Sequence, residues 1–348
     1  MNEVSMQQQT VLVTGGTGFV ATHVIVQLLQ QGYRVTTTVR SLDSQTQFFE
    51  TLQHAGIQTK QANLQLIEAD LLNDTNWLTA MQGCDYVLHV ASPLPTSDPK
   101  NEDDVIQPAV EGTLRVLTFA KKAGVKRVVM TSNFGAVGYS HTDTSSLITE
   151  QSWTDPKQKG LSVYNKSKVM AERAAWDYIN NEGQGLELAV INPMGIFGPL
   201  INQRLSAGHA LLRQLMSGEM QRLPDINMGI VDVRDVADLH IRAMLSPQAA
   251  GERFLALAGG TMSLMEIAHY LKKAMPQHSA NISTKALPTW LLKIVALFNP
   301  KARAIKPLVG VYRQASNQKA RTLLGWEPRT NEQAMLAAAQ SLVDYKLL

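Results

Sequence analysis

The chain has 348 residues, 45% hydrophobic and 18% charged, enough to bury a large core as one main unit with a small second lobe. Its net charge of +3, without a dense basic run, gives no ground for a nucleic-acid partner. One cysteine, Cys84, excludes an internal disulfide and a CxxC metal or redox pair, and the most apolar late stretch, 290–298, is far too short to span a bilayer.

Residues 1–9 are polar and carry no apolar signal-peptide core, so a soluble, cytoplasmic protein without a membrane partner is expected. The run Thr10-Val11-Leu12-Val13 has the length of a buried parallel strand. It flows into Thr14-Gly15-Gly16-Thr17-Gly18-Phe19-Val20-Ala21, after which Val24, Ile25, Leu28 and Leu29 recur at helical spacing up to Gly32. A glycine turn between strand and helix is the context of a dinucleotide phosphate cradle. Gly15 permits the tight turn, Gly18 a close backbone approach to pyrophosphate, and the helix N-terminus free N–H groups for the anion. Ala21, as the third small residue, still allows helix and strand to pack closely.

The next strand, 33–39, ends in Arg40-Ser41, with no acid before Asp43. An NAD site places a carboxylate about here for the ribose 2′-OH, whereas a guanidinium can pair with a 2′-phosphate. NADP(H) is therefore preferred, with NAD(H) possible. A third strand, 64–68, leads to Asp70-Leu71, and a fourth, 86–90, to Ala91-Ser92-Pro93; such strand ends line the cofactor crevice of a doubly wound sheet. A long amphipathic helix over 105–123 and a fifth strand over 126–130 follow.

After a polar loop, 138–160, a helix over 163–181 opens with Tyr164-Asn165-Lys166-Ser167-Lys168. Tyr164 and Lys168, four apart, share one helix face. A nearby ammonium favours a phenolate, so Lys168 is expected to lower the Tyr164 pKa and fit the phenol for proton transfer to a carbonyl. The sixth strand spans 186–191. Beyond Pro193 helical patterns dominate, at 203–217, 235–245, 263–275, 288–298 and 331–346, with short strands near 229–233 and 253–257. The α/β reading is a doubly wound parallel sheet over 1–193 and a smaller, mostly helical substrate lobe over 194–348, with a short return of 229–245 to the core. Substrate contacts are expected from 94–100, 138–160 and 196–230.

Four further groups invite structural readings. His89, inside an apolar strand, is expected to be a packed core histidine, and the eight histidines show no metal spacing. Asp235 is expected to cap a helix, Trp153 and Trp176 to pack, and Pro93, Pro95 and Pro99 to shape a turn.

Together these residues resemble an extended short-chain dehydrogenase/reductase (Rossmann fold), most similar to the branch of dihydroflavonol reductases, cinnamoyl-CoA reductases and yeast-type aldehyde reductases. The carrying residues are Thr14 to Val20, Thr38-Val39-Arg40, His89 to Pro93, Val110 to Thr113, Thr131-Ser132, Tyr164 with Lys168, Asn192-Pro193 with Phe197-Gly198-Pro199, and Val231 to Ala237. The resemblance implies an NADP-dependent oxidoreductase acting on a small-molecule carbonyl, and adds Pro193 and Ile196 to the cofactor-binding set. The branch usually carries Thr-Ser-Ser after the fifth strand, and its second serine orients the carbonyl. Here the run is Thr131-Ser132-Asn133, which puts Asn133 at that position, with Ser132 as the alternative donor. Two other functions fit the fold. A nucleotide-sugar epimerase or dehydratase with retained cofactor could use Arg204, Arg213 and Arg222, and an NADP(H)-sensing regulator would do no chemistry. The chain is expected to be a monomer or homodimer.

Overall fold

Side chains of β1 (Thr10–Val13) alternate between two buried faces: Val11 and Val13 join one apolar cluster, and Leu12 joins another on the opposite face. A strand buried on both faces belongs to a parallel sheet covered by helices. The computed structural model describes residues 9–59, 63–93, 101–141 and 145–348. The first half alternates as expected: α1 (Phe19–Gln30), β2 (Arg34–Val39), α2 (Gln45–His54), β3 (Leu64–Glu68), α3 (Trp77–Met81), β4 (Tyr86–His89), α4 (Asp103–Lys122), β5 (Arg127–Thr131), α5 (Val163–Asn181) and β6 (Glu187–Pro193). Then come β7 (Gly195–Phe197), α6 (Ala207–Met216), β8 (Asn227–Met228), β9 (Ile230–Asp232), α7 (Val233–Leu245), β10 (Arg253–Ala256) and β11 (Met262–Ser263). Helices close the chain: α8 (Leu264–Ala274), α9 (Thr289–Phe298), α10 (Pro300–Ile305), α11 (Gln318–Leu324) and α12 (Asn331–Asp344).

The main sheet is parallel, in the order β10-β6-β5-β4-β1-β2-β3. Strand order reverses between β1 and β4, so a crevice opens at their C-terminal ends. On one face Val24, Ile25 and Leu28 of α1 meet Val236, Leu239 and Met244 of α7. On the other, Val116 and Leu117 of α4 meet Ala171 and Ala175 of α5. A separate core of Leu212, Leu215, Leu264, Leu271, Ala338 and Leu342 joins α6, α8 and α12.

Two expectations change. The strand near 253–257 is expected in the small lobe, yet β10 pairs with β6 as the seventh strand of the main sheet. The return to that sheet also runs beyond 245, because Trp326, after α11, is fully buried in the α1–α7 cluster and donates from Nε1 to the Asp235 carbonyl. Second, Asp235 does not cap α7. Asp232 does: its carboxylate accepts from the Arg234 N–H at 2.9 Å and pairs with that guanidinium, while Asp235 pairs with Arg329. The first buried carboxylate before the helix reaches the free N–H groups; Asp235, already inside the first turn, points across to the 329 loop.

Candidate active site

The glycine turn is set by contacts that leave no room for side chains. Gly15 has φ +73°, and a Cβ there would lie 2.9 Å from Ala91 Cβ; one on Gly16 would overlap Thr37 Oγ1. Thr38 accepts from both turn N–H groups, Gly15 into its hydroxyl at 3.0 Å and Gly16 into its carbonyl at 2.9 Å. Gly18 is the N-cap of α1 and has no side chain to cap it. The first turn of α1 therefore keeps free N–H groups and the positive end of its dipole for an anion.

Thr14 ties this turn to the end of β4. Its Oγ1 accepts from the N–H groups of Val90 and Ala91, both at 3.0 Å, and lies 3.0 Å from His89 Nδ1. With two donors already pointing at the oxygen, the hydroxyl proton goes to His89 Nδ1. Burial and the Lys168 charge push the His89 pKa down to about 3, so the ring stays neutral and accepts. His89 is the packed histidine expected, and the Thr14 bond to the Ala91 N–H sets Ala91 beside Gly15.

Arg40, just beyond β2, is exposed and makes no hydrogen bond or ion pair among the described residues. The next acid, Asp43, is occupied by the Ser41 hydroxyl at 2.9 Å. At the end of β3, Asp70 accepts from the Leu72 N–H at 3.0 Å, and Leu71 is buried against Gly112, where a Cβ would approach to 3.0 Å. A free helix terminus, a side-chain-free cradle and an unpaired guanidinium at the β2 tip fit a dinucleotide with a 2′-phosphate.

Ser162 caps α5 by accepting from the Asn165 N–H at 3.2 Å, which places Tyr164 in the first turn and Lys168 one turn below. Lys168 is only 6% exposed. Burial pushes its pKa down to about 8, opposed by the Glu172 carboxylate. Tyr164 departs from expectation: its pKa is raised, not lowered. Desolvation is the main cause, the facing Asn133 side chain opposes it, and Tyr139 adds to it. The ammonium lies 5.9 Å from the Tyr164 ring centroid and does not reverse the shift. Helical spacing puts the pair on one face; how strongly the charge acts depends on depth and orientation.

Asn133 caps the short 3₁₀ turn over 134–136, accepting from the Ala136 N–H at 3.2 Å, and its Nδ2 donates to Asn165 Oδ1 at 3.3 Å. Gly135 makes this possible: a Cβ there would overlap Asn165 Oδ1 and lie 2.8 Å from Asn133 Oδ1. Ser132 is buried, and its Oγ has no partner among the described residues. Asn133 is thus the side chain facing the phenol.

Sequence reading missed the buried network beneath these groups. Glu172 accepts from Asn192 Nδ2 at 2.7 Å and from Arg253 Nε at 2.6 Å, and the Asn192 amide also donates to the Asn133 carbonyl at 3.2 Å. Arg253 donates onward to the carbonyls of Glu150 and Ser152 and stacks on Trp153 at 3.7 Å. Trp153 and Trp176 therefore pack, the latter with its indole N–H toward Glu172 at 3.5 Å. Glu172 follows Lys168 by one turn, a visible signal; Arg253, 81 residues away, gave none. Arg313, also missed, lies 4.5 Å from the Tyr139 ring.

Of the remaining candidates, Pro193 ends β6 and Ile196 sits in β7, paired with Val231 of β9. Arg204 and Arg222 are exposed, and Arg213 is half-buried on α6. Pro95, Pro99 and the rest of 94–100 lie outside the described residues. Among the described residues no group of three or more His, Cys, Asp or Glu could hold a metal, and no helix is long and apolar enough to cross a membrane.

Residues 11–256 match the profile of the NAD dependent epimerase/dehydratase family. The chain is 33% identical over 342 residues to cinnamoyl-CoA reductase 1 of Petunia hybrida, covering 97% of this chain and 93% of that protein. It is 32% identical over 290 residues to an anthocyanidin reductase of Vitis vinifera, covering 78% and 82%. In structure it resembles yeast methylglyoxal/isovaleraldehyde reductase Gre2 complexed with NADPH, with TM-score 0.79, 26% identity and coverage of 97% and 99%.

Proposed function

Since the chain belongs to the NAD dependent epimerase/dehydratase family, we propose that it is an NADPH-dependent reductase of the carbonyl of a small aldehyde or ketone. The observation that carries the reading is the Tyr164 phenol, kept protonated by its raised pKa, facing the Asn133 amide and one turn from the Lys168 ammonium. Tyr164, Lys168 and Asn133 are the assigned catalytic residues, with Ser132 as reserve donor.

Bound NADPH supplies hydride to the carbonyl carbon. The free N–H groups of the α1 first turn hold the pyrophosphate, with Thr14 to Val20 as the cradle and Asp70, Leu71, Ala91, Ser92, Pro93, Pro193 and Ile196 along the crevice. Arg40 pairs with the 2′-phosphate. Asn133 Nδ2 donates to the substrate oxygen as charge develops there. Tyr164 then gives that oxygen its proton, completing the alcohol. Lys168, charged below about pH 8, stabilises the phenolate left behind and binds the nicotinamide ribose.

The nucleotide-binding part is residues 1–193 with the returning β9, α7, β10, α11 and Trp326; the remainder forms the substrate lobe. We place the enzyme in the cytoplasm, as a monomer or homodimer. The test is a panel of aldehydes and ketones followed by loss of NADPH absorbance, with Tyr164→Phe alongside. The variant should lose about 10²–10⁴-fold in kcat while still binding NADPH. Retention of more than a tenth of kcat would remove the phenol from the mechanism.

A further inference from the structure

Helix α9 breaks the rule that a surface helix has one apolar side. Only Thr289 and Lys293 in its ten residues are polar. Leu292 and Ala296, one turn apart, are buried, in a small cluster with Ala302 and against Leu287, Ile305 and Val309. On the other side Trp290, Ile294, Leu297 and Phe298 share one stripe, and they are 65, 49, 65 and 84% exposed. Scattered apolar residues are ordinary on a surface; four at helical spacing, two of them aromatic, form a patch that calls for a partner.

The charge of this stretch of chain favours an anionic partner. Residues 267–326 contain ten Lys and Arg and no Asp or Glu, so the rest of this +3 chain carries a net −7. Lys285, Lys293 and Lys306 are exposed. Arg303 donates to the carbonyls of Ala296 at 3.2 Å and Leu297 at 3.0 Å, which fixes a further positive charge at the α9 C-terminus.

We propose that this face docks on an anionic lipid surface. Helix α9, about 15 Å long, lies in the interface rather than across it. Trp290, Ile294, Leu297 and Phe298 enter the acyl boundary, and Lys293, Arg303 and Lys306 stand at the level of the lipid phosphates. A second copy of the chain fits less well: two-fold pairing of α9 faces would set these basic side chains against their own counterparts. The length of 290–298 excludes a span across the bilayer, not a helix lying in its interface. The structure adds that one side of this apolar stretch is left uncovered.

The test uses the full chain, sedimented with vesicles of phosphatidylcholine alone or with one-third phosphatidylglycerol. Binding should be stronger to the anionic vesicles by about tenfold or more, and should fall with added salt. Trp290 fluorescence should shift to the blue on binding, a change missing in Trp290→Phe. The pair Leu297→Glu with Phe298→Glu should weaken binding about tenfold or more. Lys293→Glu with Lys306→Glu should remove the preference for anionic lipid. Both double variants should keep NADPH-dependent reduction of a water-soluble aldehyde, which certifies their fold. Absent binding to either vesicle, or equal binding to both, overturns the proposal. So does a dimer in sedimentation equilibrium that the Leu297/Phe298 pair dissociates, since a second copy then covers the face.

Discussion

Raising the pH through the Lys168 titration should switch off the reductase while making the fold more stable. Lys168 titrates near 10.5 in an unfolded chain and at about 8 when buried in α5. Between those values the unfolded state binds more protons than the folded one, so stability rises with pH. Below about pH 8 the cost of keeping a charged ammonium buried is fully present; it is relieved progressively up to about 10.5. A gap of about 2.5 units, at about 1.4 kcal/mol each, puts this relief at ~3 kcal/mol, and at 6% exposure solvent screening takes little from it. Activity moves the other way, because ribose binding and phenolate stabilisation both need the charged form. The measure is kcat/KM for NADPH, which reports ionisations of the free enzyme. It should fall about tenfold per pH unit above about 8, as the thermal midpoint climbs after allowance for other groups. Tyr164 cannot produce this limb, since its own pKa is raised above 10. Lys168→Met should abolish the limb and the Lys168 share of the stability change. A flat profile to two units above that pKa, or a limb that survives in Lys168→Met, would refute the reasoning.

Three substitutions probe the rest of the site. Arg40→Asp should invert cofactor preference, read as the ratio of kcat/KM for NADPH and NADH; equal use of both by the unaltered protein would sink the 2′-phosphate assignment. Asn133→Ala should lower kcat by roughly 10²-fold or more, as loss of one oxyanion donor does, while Ser132→Ala does much less and Asn133→Ser keeps activity. If the serine change is the damaging one, Ser132 is the donor. Gly135→Ala should press on the Asn133–Asn165 amide pair, costing about 1–3 kcal/mol of stability by denaturant melt and displacing the donor, so that kcat falls more than NADPH binding weakens. An unchanged kcat would mean that the pair has shifted without consequence.

The chain order carried much of this protein openly, because the physics involved is local. A strand with Val11 and Val13 on one side and Leu12 on the other needs only a period of two. The turn at Gly15 needs only a positive φ, and Tyr164 with Lys168 needs only one helical turn. Depth and pairing between distant residues were not visible that way. Periodicity shows that 253–256 is buried but not which sheet receives it, since β10 finds β6 only in three dimensions. The sign of the Tyr164 shift turns on desolvation against the facing Asn133 side chain, a balance no spacing encodes. The Glu172–Arg253–Asn192 network beneath Asn133 joins residues up to 81 apart and rests on buried charge needing a partner. Sequence determined the fold and the residue types of the site through short-range backbone and side-chain preferences. Tertiary structure alone decided which groups are dry, which are paired and which apolar face stays uncovered, because solvent exclusion belongs to the packed whole.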